Sequence, residues 1–141
     1  MVVSPVYAEP EELVDMIRDP HKQAGKDYVV IDVRGDDYIG GHIPGAINIP
    51  AGQMYDRVND IITEYANVPI IYFHCALSQM RGPKSARIYS ETINNLGKNT
   101  TQQVKILRNG FEGWHHRYRK EVDLIEDYDK NVWAWAIEDE N

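Results

Sequence analysis

The chain holds a single cysteine, Cys75, among its 141 residues. No disulfide can close within it, and no metal site built on several cysteines can form. A lone thiol fits a reducing compartment, which points to the cytosol, the nucleus or both. Positive charge is scarce too: 15 Lys and Arg stand against 22 Asp and Glu, a formal charge of −7. Such a chain lacks the broad positive footprint that nucleic acid or an anionic membrane demands. A small anion is not excluded, because a ring of backbone N–H groups with one Arg acts at short range. No apolar run approaches a membrane span, and Met1 to Glu12 shows no charged-then-apolar leader. Repeats and low-complexity tracts are missing as well, and the length fits one domain, 1–141.

What is present alternates between strand and helix patterns. Val2-Val3 and Val6-Tyr7 suggest a short first strand, interrupted by Pro5. Pro10, Glu11 and Glu12 read as the first turn of a helix ending near Arg18, where Asp19-Pro20 stops it. Tyr28 to Val33 is a nearly continuous apolar strand, as expected when both faces are covered. Ala46 to Ile49 gives a short strand after a Gly-rich turn. Met54, Val58, Ile61, Ile62 and Tyr65 line one face of a helix over about 53–66. Ile70 to Phe73 is a strand, and a helix follows from Pro83 to Leu96, with Gly97 as its C′ residue. Gln103 to Leu107 is the fifth strand, and Phe111 to Arg119 a short helix. Trp133 and Trp135 are spaced as on one face of a strand or extended segment; the alternative preferred here is a C-terminal arm over 120–141 that packs two indoles onto a core of about 6–119. The alternation predicts an α/β fold: a mainly parallel five-stranded sheet flanked by helices.

The chemistry concentrates between the fourth strand and the helix after it. His74-Cys75-Ala76-Leu77-Ser78-Gln79-Met80-Arg81-Gly82-Pro83 places a thiol and a guanidinium at the two ends of a short loop. Ligands of parallel sheets sit beyond the carboxyl ends of strands, where this loop lies. A free thiol, with a pKa of about 8.5, is mostly protonated at neutral pH. A helix N-terminus and Arg81 both favour its thiolate. The N–H groups from Ala76 through Leu77, Ser78, Gln79 and Met80 to Arg81 form an anion cradle if the loop curls. Arg81 can then fork onto two oxygens of a tetrahedral anion. Attack by Cys75 gives a covalent thiophosphate or thiol–arsenate without a metal. Ser78 reads either as a donor to the thiolate or leaving group, or as a solvated loop serine. His74 reads as structural, since a thiolate already formed needs no base. By residue chemistry alone Asp32 is a general acid or, more commonly for a carboxylate at a strand end, a brace. Asp36, Asp37 and Glu112 are candidates for the acid only by charge, and read otherwise as surface carboxylates.

At these residues the chain resembles the rhodanese-fold cysteine phosphatases of the cell-division-cycle type, and their relatives the eukaryotic arsenate reductases. The signature is His74-Cys75, five residues, then Arg81-Gly82-Pro83. Val30 to Arg34 and Tyr38 to Pro50 match the upstream part of the pattern, and Leu107, Gly110, Phe111 and Trp114 the downstream part. The resemblance covers about 6–119 and implies a rhodanese-like domain with Cys75 as nucleophile and Arg81 as oxyanion clamp. It also implies that Asp32 braces the loop and His42 the turn after the second strand. Sulfurtransferases of this fold have a shorter loop, so the span from Cys75 to Arg81 disfavours sulfur transfer to cyanide. Ala76 stands where the mitotic enzymes often carry an acid.

Three functions follow as expectations. The first is a protein tyrosine or dual-specificity phosphatase, a phosphoric monoester hydrolase acting on phosphorylated protein. The second is an arsenate reductase that uses glutathione as external reductant and glutaredoxin as partner. The absence of a second cysteine suits it, since an oxidised Cys75 must be rescued by an external thiol. The third, a catalytically silent phosphate-binding module, is disfavoured because Cys75 and Arg81 are both present. No other cofactor is implied. His115, His116, Arg117, Arg119 and Lys120 form a basic run, read as a solvated helix face before a docking patch.

Overall fold

The computed structural model describes residues 2–137; the last four residues of the expected arm, 138–141, lie outside them. Helices separate most of the five strands. In chain order they are β1 (Val6–Ala8), α1 (Pro10–Arg18), β2 (Val29–Asp32), β3 (Ile47–Asn48), α2 (Met54–Tyr65), β4 (Ile70–His74), α3 (Arg81–Asn95), β5 (Gln103–Leu107), α4 (Gly110–Tyr118) and α5 (Ala134–Ile137). The sheet order is β1-β5-β4-β2-β3, and every pairing is parallel. The central strand β4 is almost wholly buried, from Ile71 to His74, because helices cover both of its faces.

Strand periodicity divides the core in two. Val29, Ile31, Ile71, Phe73, Val104 and Ile106 point to the side of α2 and α3. Val30, Tyr72 and Leu107 point to the other side, against α1, α4 and the C-terminal arm. A one-residue slip of β4 would exchange these sets, so its register with β2 and β5 is strongly fixed. Phe73 and Ile31 are fully buried. Truncating Phe73 to Ala should cost about 3–5 kcal/mol.

Several boundaries differ from the sequence reading. Val2 and Val3 are not in β1; Val3 instead exchanges two hydrogen bonds with the Asn94 side chain on α3. The helix expected from Pro83 begins at Arg81, because a Pro in the first turn forfeits no intrahelical bond. The Trp segment is not extended: backbone turns lead into α5, and the two rings lie 6.3 Å apart with unequal burial. Trp133 is buried, whereas Trp135 is 62% exposed.

Candidate active site

The loop from Cys75 to Met80 joins the carboxyl end of β4 to the first turn of α3. Ser78 takes a left-handed φ of 55°, which folds the loop back on itself. Its backbone N–H then lies 3.2 Å from the Cys75 sulfur, and the N–H of Gly82 lies 3.3 Å from it. The sulfur thus sits at the N-terminus of a 15-residue helix, where unpaired N–H groups and the helix dipole favour negative charge. Gly82 permits this approach: a Cβ there would stand 3.2 Å from the His74 Cα. Cys75 and Ser78 are buried; Leu77, Gln79 and Met80 are exposed around them. The reading of Ser78 as a solvated serine does not hold. Its backbone, not its hydroxyl, reaches the sulfur, and the buried hydroxyl has no hydrogen-bond partner.

The loop is held from behind by α4. Asn109 and Gly110 both have left-handed φ angles, 67° and 57°. They aim the first N–H groups of the helix at the loop: Phe111 donates to the Cys75 carbonyl at 2.9 Å, and Glu112 to the Ala76 carbonyl at 2.8 Å. In a trans peptide the N–H points opposite the carbonyl, so the N–H groups of Ala76 and Leu77 face away from α4. Gly110 has no room for a side chain, since a Cβ would lie 2.5 Å from both carbonyl oxygens. His74 Nδ1 lies 3.0 Å from the Cys75 carbonyl and must donate to it, as a carbonyl only accepts. Burial lowers the pKa of the His74 imidazole, even though Asp32 lies 3.7 Å from Nε2. A neutral, buried ring that bonds the loop backbone is a structural part, as expected for His74.

Beneath the loop lies a buried ion network that the sequence reading did not single out. Arg34 is 1% exposed. Its Nε and terminal nitrogen grip both Asp32 oxygens at 2.7–3.0 Å, and it also donates to the Gly41 carbonyl at 3.0 Å. The guanidinium rests on the Phe111 ring, 4.2 Å from its centroid. Burial pushes the Asp32 carboxyl up, but the charge and hydrogen bonds of Arg34 hold its pKa below the ordinary value. Asp32 is therefore an ionised partner of Arg34 rather than a proton donor. The Asp-x-Arg spacing was the available signal, because residues two apart share one face of an extended chain.

Arg81 forks onto Asp37 at 2.9 and 2.7 Å, with side chains 40% and 44% exposed. Arg81 holds the Asp37 carboxyl down to about 2, and Asp37 in turn raises the pKa of Arg81, with a smaller push from Cys75. A carboxylate that stays ionised to so low a pH is no general acid in the ligand-free protein. It stands where an oxyanion would meet the same fork. Asp36 and Glu112 carry no feature that marks either as the acid.

The C-terminal arm is fastened to the turn before β3. His42 and Glu126 exchange backbone hydrogen bonds of 3.0 and 2.8 Å, and Trp133 Nε1 donates to the Gly40 carbonyl at 3.1 Å. His42 thus anchors that turn to the arm, and its ring stacks on Tyr38. A Cβ on Gly40 would lie 2.5 Å from the Trp133 indole nitrogen. His115 is not on a solvated basic face. Trp133 stacks on it with ring centroids 4.1 Å apart, and Tyr128 shares a 2.9 Å hydrogen bond with its Nε2. Burial, reinforced by Arg119 and His116, lowers the pKa of His115 to about 4. No described helix is long and apolar enough to cross a membrane.

Known proteins resemble this chain in sequence and in fold. Over 112 residues the chain is 33% identical to the dual specificity phosphatase ibp1 of Schizosaccharomyces pombe, covering 69% of this chain and 81% of that protein. It is 29% identical over 110 residues to arsenate reductase 2.2 of Oryza sativa subsp. japonica, covering 77% and 80%. The solved structure of Ygr203w, a yeast protein tyrosine phosphatase of the rhodanese family, superposes with a TM-score of 0.77. That superposition covers 94% of this chain and 99% of the other at 23% identity, and so speaks for the fold. Residues 9–117 match the model of the rhodanese-like domain, and the chain belongs to that family.

Proposed function

We propose that this protein is a cysteine-dependent phosphatase that acts on phosphorylated protein side chains. The observation that carries the reading is the Cys75 sulfur with two backbone N–H groups on it, at the start of α3, within reach of an arginine fork. The phosphoryl group sits in the loop from Ala76 to Arg81, and its oxygens displace Asp37 from Arg81. The Cys75 thiolate attacks phosphorus; a P–S bond forms and the bond to the leaving oxygen breaks. Water then attacks the thiophosphate, releasing orthophosphate and the thiolate. Charge stabilisation by oriented N–H groups and Arg81 supplies most of the catalysis, and no metal takes part. The dual specificity phosphatase among the relatives supports this choice. A reducing compartment, cytosol or nucleus, suits a free Cys75.

The second reading is arsenate reduction at the same loop. It is favoured by the rice relative and by the single cysteine. Arsenate would condense onto Cys75, and two electrons would come from external thiols, glutathione and then glutaredoxin. One side-by-side assay separates the two. Wild type and Cys75→Ser are given an aryl phosphate, then arsenate with glutathione and glutaredoxin, then thiosulfate with cyanide. Aryl-phosphate hydrolysis that disappears in Cys75→Ser is expected. A wild-type protein that is inert toward phosphate esters under reducing conditions, yet consumes reductant with arsenate, sinks the first reading and leaves the second.

A further inference from the structure

Beside the loop, on the Ala76 side, lies a cleft of about 400 Å³. Its walls are Ile39, Phe111, Val132, Trp133 and Trp135; Asp37 and Glu112 stand at its polar margin, and Arg34 lies at its base. Three of these side chains, Val132, Trp133 and Trp135, come from the arm beyond the matched family segment, 9–117. The cleft adjoins the oxyanion loop at two points. Ala76 belongs to both, and Asp37 reaches from the cleft to Arg81.

The chemistry of the lining says what fits. Its walls are apolar and mostly aromatic. Arg34 is a poor anion site, because Asp32 neutralises its charge and most of its donors go to Asp32 and to the carbonyls of Gly41 and Asp37. Asp37 and Glu112 repel an acidic side chain or a second phosphate. Trp135 keeps 62% of its surface exposed at this margin, 6.3 Å from the Trp133 ring, and a planar group beside it would cover apolar area. The volume is at the lower end of ligand clefts.

We propose that this cleft seats the leaving group of the substrate and that the group is a flat, uncharged ring, so that the preferred substrates are aryl phosphomonoesters, tyrosine phosphate among protein side chains. This rests on the phosphatase reading and narrows it. Trp135 is the specificity-determining residue: it touches the ring and not the phosphoryl group.

The test uses two non-hydrolysable dianions with one head group, methylphosphonate and phenylphosphonate, as competitive inhibitors. Wild type should bind the phenyl compound about tenfold more tightly, the range of one good aromatic contact. Trp135→Ala should cut that advantage to about twofold and leave methylphosphonate and tungstate inhibition unchanged, while Trp135→Phe keeps most of it. Because Trp135 is exposed, its variants should melt like wild type, which a thermal scan checks. Equal binding of the two phosphonates by wild type overturns the proposal, as does a ratio that Trp135→Ala leaves untouched. The two readings fail separately. A protein that hydrolyses aryl phosphates without a ring advantage loses the cleft and keeps the phosphatase activity. One that shows a Trp135-dependent ring advantage but no hydrolysis keeps the ring site and loses the phosphatase reading.

Discussion

Arg34 and Arg81 each grip a carboxylate through two nitrogens, in opposite surroundings. Arg34 and Asp32 are sealed under the loop, with Gly41 and Phe111 completing the shell. Arg81 and Asp37 sit at the rim, each close to half exposed. The first pair cannot let go without stranding a buried charge. The second exchanges partners at little cost, because water screens both groups. Similar ion-pair geometry therefore serves as frame in one place and as a replaceable ligand in the other.

The sharpest way to break this contrast is to remove one partner of the buried pair. Asp32→Ala should destabilise the protein by about 3–5 kcal/mol, measured by urea unfolding. A loss below 1 kcal/mol would mean that Arg34 finds water or another partner. Next comes Arg81→Lys, which keeps the charge and loses the fork. Its kcat/KM for an aryl phosphate should fall about 10²–10³-fold, roughly 3–4 kcal/mol, while the unfolding midpoint stays put. Instability like that of Asp32→Ala would make Arg81 a second frame residue.

A smaller effect tests the arm. His115 stays neutral in the folded protein down to about pH 4, whereas in the unfolded chain it takes its proton near 6.5. Between these values the unfolded chain binds more protons, so stability falls as pH drops from about 6.5 to 4. The loss attributable to His115 should be on the order of 1–3 kcal/mol, and His115→Gln should remove that part of the slope. A slope unchanged in His115→Gln would show that other groups carry it. The smallest effect belongs to the rim pair. Asp37→Asn should tighten tungstate inhibition about twofold to fivefold, the range for an exposed pair, with stability unchanged. Weaker inhibition would instead make Asp37 an aid to oxyanion binding.

How much of this was legible depends on whether local pattern or distant contact decides. The run Ile70 to Phe73 and the loop to Arg81 could be read because strand, loop and helix are adjacent in sequence. The helix face of Met54, Val58, Ile61 and Ile62 could be read from its period, and those four residues are indeed buried. Arg34 could not: an Arg at a strand end is ordinarily solvated, and only its carboxylate, carbonyl and ring partners together make burial tolerable. His115 looked like part of a solvated run because Trp133, eighteen residues later, covers it. The Trp133–Trp135 spacing suggested an extended chain, but two residues are too few to separate a strand from the start of a helix.

The bonds from α4 to the Cys75 and Ala76 carbonyls bear on the speed and cost of ligand capture. They set the shape of the loop from a point more than thirty residues downstream, before any anion arrives. Ordering a free backbone costs roughly 1–2 kcal/mol per residue. A loop already fixed escapes most of that loss on binding, so affinity for a small oxyanion reflects the contacts themselves. Capture then need not wait for loop closure and should proceed in one kinetic phase, at a rate set by diffusion and by the release of Arg81 from Asp37.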